Sequence, residues 1–276
     1  MLIFTVFTVV PVVISIILSF TSFNILEPPE FVGLDNFLSL FLDDDVFIKS
    51  AGNTIVMAAI IGPGGYLISL FVAWCVNDLT PKLRAFVTFV FYAPSICGNI
   101  YLIWTVLFSG DAHGYMNGVL MNLGFVNQPV QWLKDPQYMM VIVIIVSLWA
   151  GLSTSFLSFI AGLQGVDKTM YESGAVEGIK NRWQELWFIT LPAIKPQLMF
   201  GAVLSITASF GVGQITTALC GFPSTDYAAH SIMNHLEDFG SVRFEMGYAS
   251  AIATLLFIFM LMTNMLIKRV LSKVGE

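Results

Sequence analysis

The chain has 276 residues, of which 57% are hydrophobic and only 11% carry a charge. An average soluble domain has roughly 25% charged and 45 to 50% apolar residues. With a mean hydropathy of +0.81, this composition excludes an ordinary soluble domain and indicates a chain embedded in a lipid bilayer. The formal net charge of -6 argues against a nucleic-acid partner.

Six uncharged segments are each long enough to cross a hydrocarbon core, which needs about 20 apolar residues. None contains Asp, Glu, Lys or Arg, in keeping with an insertion cost of roughly 2.5–3.5 kcal/mol for each central charge. The segments are 2–25, 51–77, 85–108, 138–163, 197–219 and 246–267. We predict an all-α polytopic membrane protein with six transmembrane helices, forming a single transmembrane domain over residues 1–276.

The basic residues predict the orientation, because cytoplasmic loops carry an excess of Lys and Arg. If both termini are cytoplasmic, nine basic residues lie inside and three outside. The inner residues are Lys82, Arg84, Lys168, Lys180, Arg182, Lys195, Lys268, Arg269 and Lys273, and the outer ones are Lys49, Lys134 and Arg243. The loop 164–195 is therefore predicted to be cytoplasmic. The first segment begins at Met1 without a basic lead, which argues against a signal peptide.

Residues suited to catalysis or metal binding are few. Cys75, Cys97 and Cys220 lie within or at the ends of apolar segments without metal-ligand spacing, which predicts neither a metal site nor a disulfide. His230 and His235 are five residues apart and miss a common helical face. There is no GxxxxGK[ST] phosphate loop and no charge inside a predicted span. We expect no enzyme and no cofactor in this chain, so a partner must supply the energy for any transport.

The loop 164–195 is the one amphipathic, charge-bearing insert of its kind between two long apolar runs. Asp167 is a predicted N-cap for a short helix that begins at Lys168, and Gly178 is a predicted end, since glycine readily adopts the left-handed conformation. Residues 173–175 between them are all small. Small side chains would let another backbone approach closely, which favours a docking role.

A second short helix is predicted after Asn181, its N-cap, with Gln184 completing an approximate capping box. We expect this helix to end at Pro192, because proline disfavours the helical conformation of the residue before it. Trp183, Leu186 and Trp187 form an apolar stripe at helical spacing. An alternative interpretation is therefore an amphipathic element on the membrane surface, with its tryptophans at the lipid headgroups.

Residues 171–178 read YESGAVEG and residues 189–192 read ITLP. This series resembles the EAA loop of binding-protein-dependent ABC importer permeases, in the carbohydrate branch of multiple-sugar and glycerol-phosphate type. Ser173 and Gly174 stand where alanine is usual in that pattern, and Glu177 stands where aspartate is usual. The matching positions are Tyr171, Glu172, Ala175, Gly178, Trp183, Ile189, Thr190, Leu191 and Pro192.

Further parts of the chain resemble the same branch. Residues 31–37 read FVGLDNF and follow SFT at 19–21. Asn53-Thr54, the YAP sequence at 92–94, and Trp104 also match. The ordered series covers nearly the whole chain.

This resemblance implies the type I ABC importer permease fold and a bacterial plasma-membrane location. Two coupling helices in the loop would seat in a groove of a cytoplasmic ABC ATPase dimer, which binds ATP and Mg. A second homologous permease subunit, an extracellular solute-binding protein and a sugar or polyol substrate are the other implied partners, besides the bilayer. The predicted ATPase-coupling residues are Glu172, Ser173, Gly174, Ala175, Glu177, Gly178 and Arg182.

The substrate path would then run between the two permease subunits. Neutral polar and aromatic side chains in the predicted inner helices suit a sugar, although Ser, Asn and Gln also commonly bond within or between helices. The candidates are Asn99, Tyr101, Trp104, Ser209 and Gln214. An ion-coupled secondary carrier or a non-transporting scaffold are the alternatives. A carrier would be expected to show an intramembrane ion site or inverted repeats.

Overall fold

The computed structural model describes residues 2–96 and 101–272, and these are mostly helical. Short strands β1 and β2 pair antiparallel near the start of the chain. The strands are β1 Thr21–Ser22 and β2 Glu30–Phe31. The helices are α1 Leu2–Leu18, α2 Asp35–Leu42, α3 Asp45–Asn77, α4 Pro81–Ile96, α5 Leu102–Leu107, α6 Tyr115–Asn122, α7 Pro136–Gln164, α8 Lys168–Val176, α9 Arg182–Ala193, α10 Lys195–Phe210, α11 Gly213–Cys220, α12 Ile232–Glu237 and α13 Met246–Ser272.

By length and hydropathy, three helices within the described ranges could each cross a membrane. They are α3, α7 and residues Met246–Val270 of α13, which confirms the apolar segments 51–77, 138–163 and 246–267 as helices. The bent pair α9 and α10 would be a fourth span if counted as one. The helical, membrane-type character is thus confirmed, and the count of six stays a prediction.

Two of the predicted segments are shorter or broken in the structure. The segment 2–25 is helical only to Leu18, because the chain then turns and Thr21 pairs with Phe31. The segment 197–219 is divided after Phe210, and a separate helix starts at Gly213. Apolar composition alone does not reveal these interruptions.

The described residues cluster into two compact units. Among the described residues, unit 1 contains 2–57, 102–143 and 210–261, and unit 2 contains 58–96, 101, 144–209 and 262–272. Unit 2 holds the loop 164–195. A single transmembrane domain over 1–276 stays a prediction.

In unit 1, the two short motifs near the start of the chain contact each other. The Asn36 amide donates to the backbone carbonyls of Ser19 and Thr21, both at 2.9 Å. Gly33 has a φ of +63°, which favours glycine at this turn. The FVGLDNF sequence therefore builds a turn that packs against the SFT sequence at 19–21.

The beginning of α13 packs directly against strand β1 and the residue that follows it, Phe23. The Gly247 N–H donates to the carbonyl of Phe23 at 2.9 Å. A Cβ at position 247 would collide with backbone atoms of Thr21 and Phe23. Glycine is required here by the close approach of two backbones.

The loop 109–137, also in unit 1, is organised by the fully buried side chain of Asn117. Its amide donates to the carbonyls of Ser109, Asp111 and Val130 at 3.1–3.2 Å. Its Oδ1 accepts from the Val130 N–H at 3.1 Å and from Trp132 Nε1 at 2.8 Å. One side chain thus satisfies polar groups from both ends of the loop.

A buried polar cluster in unit 1 joins the chain before α3 to α12 and α13. Asp44 Oδ2 accepts from the Tyr248 hydroxyl at 2.9 Å and lies 2.9 Å from His235 Nε2. The other carboxylate oxygen, Asp44 Oδ1, accepts from the Phe47 N–H at 2.8 Å. Burial opposes ionisation of Asp44, but these partners outweigh it and hold the pKa of its carboxyl below the ordinary value. His235, which lies outside the six predicted spans, is buried.

His230 is the second buried histidine of this cluster, and it predicts a pH-dependent stability. Burial is the main cause that lowers the pKa of His230 from 6.5 to about 4, and the nearby His235 is the second. The nearby Asp238 partly offsets this lowering. The unfolded chain therefore binds the proton more readily, so stability is full above pH 6.5 and falls as the pH drops toward 4. We expect a loss on the order of 3 kcal/mol across that window. Thermal unfolding of the purified protein at stepped pH measures it.

A matched pair of variants isolates this contribution. His230→Phe should flatten the pH dependence, since the site is lined by the rings of Phe222 and Tyr227. His113→Gln, at an exposed position, should leave the profile as in the wild-type chain. An unchanged pH profile in His230→Phe would contradict the assignment.

Unit 2 has an apolar core that joins the ends of α3 and α7 to the start of α10. Trp74 of α3 and Leu191 of α9 pack against this core. Its buried members are Ala73, Val76, Phe156, Phe159, Ile160, Leu163, Ile194 and Leu198. The core places α9 beside the last turn of α3.

Candidate functional site

The first helix of the loop 164–195 has the two ends predicted for it. Asp167 Oδ1 accepts from the Thr169 N–H at 3.0 Å, which caps α8 and lowers the pKa of the Asp167 carboxyl. At the other end Gly178 has a φ of +99°, and the Ile179 N–H donates to the carbonyl of Gly174 at 2.9 Å. This pattern is a Schellman motif, and both predicted helix ends are confirmed.

The second helix, α9, begins where predicted. Asn181 Oδ1 accepts from the Gln184 N–H at 2.9 Å. The Gln184 side chain accepts in return from the N–H of Lys180, also at 2.9 Å, instead of from that of Asn181. The capping box is thus present with its second bond displaced by one residue.

The prediction that α9 ends at Pro192 is wrong, because the helix continues to Ala193. A proline inside a helix lacks an N–H and crowds the carbonyl four residues earlier. Here the residues Leu186–Thr190 form a wider π-helical turn. Pro192 then occupies the first turn of a new α-helical segment, where no N–H is needed. The helix breaks at Ile194 instead.

Helices α8 and α9 are held together by residues of the EAA-like series at 171–192. Tyr171 Oη lies 2.9 Å from Thr190 Oγ1, and the Thr190 hydroxyl donates to the Glu185 carbonyl at 3.2 Å, so Tyr171 is the donor of the first bond. Three residues after Tyr171, Gly174 is buried, and a Cβ there would lie 2.6 Å from Ile189 Cδ1. Two contacts therefore fix α8 against α9.

These contacts divide the small residues predicted as a docking patch. Gly174 faces α9 and is used by the fold of the loop itself. Ser173 and Ala175 face outward together with Glu172. Glu177 and Gly178 at the end of α8 are also exposed. The available surface of α8 is therefore an acidic residue beside two small side chains.

Arg182, a predicted coupling residue, has partners within its own chain. Its guanidinium forms an ion pair with Asp78, just after α3, and lies 4.7 Å from the ring centroid of Trp74. The Trp183 ring lies 4.9 Å from the same Trp74 ring. Arg182 and Trp183 thus attach the start of α9 to the end of α3, which no local sequence pattern indicates.

A polar cavity of about 550 Å³ lies beside this attachment. The Arg84 guanidinium donates to the carbonyl of Asn77 at 3.2 Å and closes the end of α3. Charges of both signs line the cavity, namely those of Asp78, Arg84, Lys168, Arg182 and Glu185. Within the described ranges, no group of three or more His, Cys, Asp or Glu side chains could hold a metal ion.

The structure describes four of the five predicted substrate-path residues. Asn99 lies outside the described residues, and Tyr101 is half-buried. The Trp104 ring stacks on Phe108 with centroids 5.9 Å apart. Ser209 is buried and its hydroxyl donates to the carbonyl of Ile206, within its own helix, at 2.7 Å. Gln214 is exposed, and the substrate path stays a prediction.

Solved structures define the class of this fold. The chain matches a crystal structure of a bacterial ABC transporter involved in the import of the acidic polysaccharide alginate, with a TM-score of 0.81 and 23% identity. The match covers 100% of this chain and 93% of that chain. A structure of a bacterial alginate ABC transporter in complex with an alginate pentasaccharide-bound periplasmic protein gives a TM-score of 0.78. The fold is that of the membrane subunits of ABC importers.

Sequence relatives give the family, although no family model matches the chain. The probable ABC transporter permease protein YesP of Bacillus subtilis is 31% identical over 256 residues, covering 91% of this chain and 80% of YesP. The lactose transport system permease protein LacF of Rhizobium radiobacter is 28% identical, with 79% and 71% covered. The arabinooligosaccharides transport system permease protein AraP of Bacillus subtilis is 26% identical, with 95% and 83% covered.

The chain belongs to the ABC transporter permease family. It is therefore a membrane transport subunit and not an enzyme, as the resemblance of the loop at 171–192 predicted.

Proposed function

We propose that this chain forms half of the membrane pathway of an importer for a sugar or related polyol. The relatives named for lactose and arabinooligosaccharide transport support a carbohydrate substrate. In this proposal the substrate is delivered by an extracellular binding protein, as in the alginate transporter solved with its periplasmic protein. A second homologous permease subunit completes the pathway, and six helices of this chain cross the bacterial plasma membrane with both termini in the cytoplasm.

The loop 164–195 is the proposed coupling element to a cytoplasmic ATPase dimer, which would hold ATP and Mg. The observation that carries this proposal is the geometry of α8 against α9. The bond between Tyr171 and Thr190, and the seating of Gly174 under Ile189, use up the inner face of α8. Glu172, flanked by the exposed Ser173 and Ala175, remains available to a partner. A charge beside small side chains suits a close contact with a basic group.

Charge reversal at Glu172 tests the coupling proposal. In vesicles that contain the complete transporter and its binding protein, Glu172→Lys should lower ATP-driven uptake at least about tenfold, since like charges across an interface cost several kcal/mol. The protein should still insert and bind its partner permease. Uptake of the labelled ligand and ATP hydrolysis are measured together, so that uncoupling appears as a changed ratio.

Glu237→Lys is the matched control, because Glu237 is an exposed acid of α12, outside the loop. It should leave uptake near the wild-type rate. Normal uptake and coupling in Glu172→Lys would contradict the proposed role. Calorimetry of the cognate binding protein with neutral disaccharides and oligosaccharides tests the substrate class separately, and failure to bind any of them would contradict it.

A further inference from the structure

Helix α9 presents two tryptophan side chains that its own chain leaves largely uncovered. Trp183 and Trp187, one helical turn apart, are 64% and 66% exposed. The exposed Phe188 instead lines a pocket with Ser173 and Glu177 of α8. Ile189 and Thr190, on the other side of the helix, are buried. The helix is therefore amphipathic in the structure, with an aromatic face turned away from the protein.

The direction of α9 is set by the break at Ile194. The helix Arg182–Ala193 meets α10 at an angle of 83°. Together the two helices have the length and composition of a membrane span broken by a bend. If α10 crosses the bilayer close to the membrane normal, α9 lies nearly parallel to the membrane surface.

The depth of α9 follows from its contact with α3. Trp74 lies in the last turn of α3, one of the helices long and apolar enough to cross the membrane. Its ring lies 4.9 Å from that of Trp183 and 6.2 Å from that of Phe71. Phe71, one turn further into α3, is itself exposed. The aromatic face of α9 is thus continuous with a side chain on a membrane-spanning helix.

Lipid is the occupant that fits a surface continuous from α9 to Phe71 of α3. Tryptophan is enriched at membrane–water interfaces, where its apolar ring and polar N–H are both accommodated. A soluble partner that covered α9 could not extend along α3 to Phe71 inside the hydrocarbon core. The available face of α8 differs in kind, since it combines Glu172 with small residues and with Val176, which is 90% exposed.

We propose that Trp183 and Trp187 anchor α9 in the headgroup region of the inner leaflet, while the exposed face of α8 is left for the ATPase. The inner-leaflet location rests on the proposed orientation. The two interpretations of the loop then both hold, because α9 is the membrane-surface helix and α8 is the docking helix. The membrane anchor would hold the loop at a fixed height while the partner contacts α8.

Spin-label accessibility tests this assignment in the transporter prepared with and without its ATPase. A nitroxide is placed at a cysteine introduced at position 187, with Cys75, Cys97 and Cys220 replaced by serine. Vesicles of phosphatidylethanolamine with phosphatidylglycerol as the minor component provide the membrane. We expect the label at 187 to be accessible to oxygen but shielded from a water-soluble nickel chelate, as a label at position 71 should be.

A label at Val176 is the matched control, because this residue is exposed and apolar but lies on α8. It should be open to the nickel chelate and lose that accessibility when the ATPase is present, whereas the label at 187 should not respond to the ATPase. Free access of the chelate to 187, or its protection only by the ATPase, would overturn the membrane anchor. An unresponsive label at 176 would instead count against the coupling proposal and leave the anchor intact.

Discussion

Replacement of Gly178 by valine is expected to reduce ATP-driven uptake about tenfold. Gly178 has a φ of +99° at the end of α8, and the left-handed conformation costs other residues roughly 1–2 kcal/mol, most of all β-branched ones. Nothing lies within 4 Å of a Cβ built at this position. The effect must therefore come from backbone strain, which unwinds the cap and displaces the exposed face of α8.

The matched variant Gly178→Asn separates backbone strain from added bulk. Asparagine tolerates positive φ far better than valine, so it should retain most of the uptake although its side chain is of similar size. Uptake and ATP hydrolysis of both variants are compared in vesicles that contain the complete transporter. Equal loss in the two variants would show that bulk, and not φ, is what position 178 excludes.

Replacement of Asn117 by alanine is expected to destabilise the loop 109–137 by several kcal/mol. The substitution strands the Val130 N–H, Trp132 Nε1 and three backbone carbonyls that Asn117 now satisfies. A buried polar group left without its partner costs roughly 1–3 kcal/mol. Limited proteolysis within the loop and thermal unfolding of the purified protein measure the loss.

Asn127→Ala is the control for this prediction, because Asn127 is exposed in the same loop. It should change neither the cleavage rate nor the unfolding temperature beyond the scatter of surface substitutions, roughly ±0.5 kcal/mol. A resistant loop in Asn117→Ala would refute the central role of this side chain.

The ends of α8 could be predicted from sequence because helix caps are local. Asp167 bonds to a backbone N–H two residues away, and Gly178 needs only its own φ. The same locality identified Asn181 as the start of α9. The course of the helix through Pro192 could not be predicted, because it depends on a π-helical turn that the residues 186–190 adopt against the rest of unit 2.

Contacts between distant parts of the chain were beyond sequence reasoning. His235 and Asp44 are separated by 191 positions, and no spacing rule connects them. Asn117 lies in a stretch with no distinctive pattern, yet it bonds to five partners. The inward position of Gly174 was likewise hidden, since a small residue can serve either a partner or its own fold.

The structure gives the family motifs a physical explanation that their sequence alone does not give. Tyr171 and Thr190 belong to separate halves of the EAA-like series and form one hydrogen bond. Asn36 of the FVGLDNF sequence bonds to two carbonyls within the SFT sequence at 19–21. Motif pairs that look independent along the chain are thus single structural units.

The contact between Gly247 and Phe23 bears on the order in which the protein is assembled during synthesis. Phe23 is synthesised well before Gly247, the donor for its carbonyl, which belongs to the first turn of α13. At about 5–20 residues per second, roughly 10 to 45 s separate the two residues. During that interval strand β1 and Phe23 cannot yet pack against α13. Unit 1, which combines segments from three separate parts of the chain, can therefore close only after Gly247 has been synthesised.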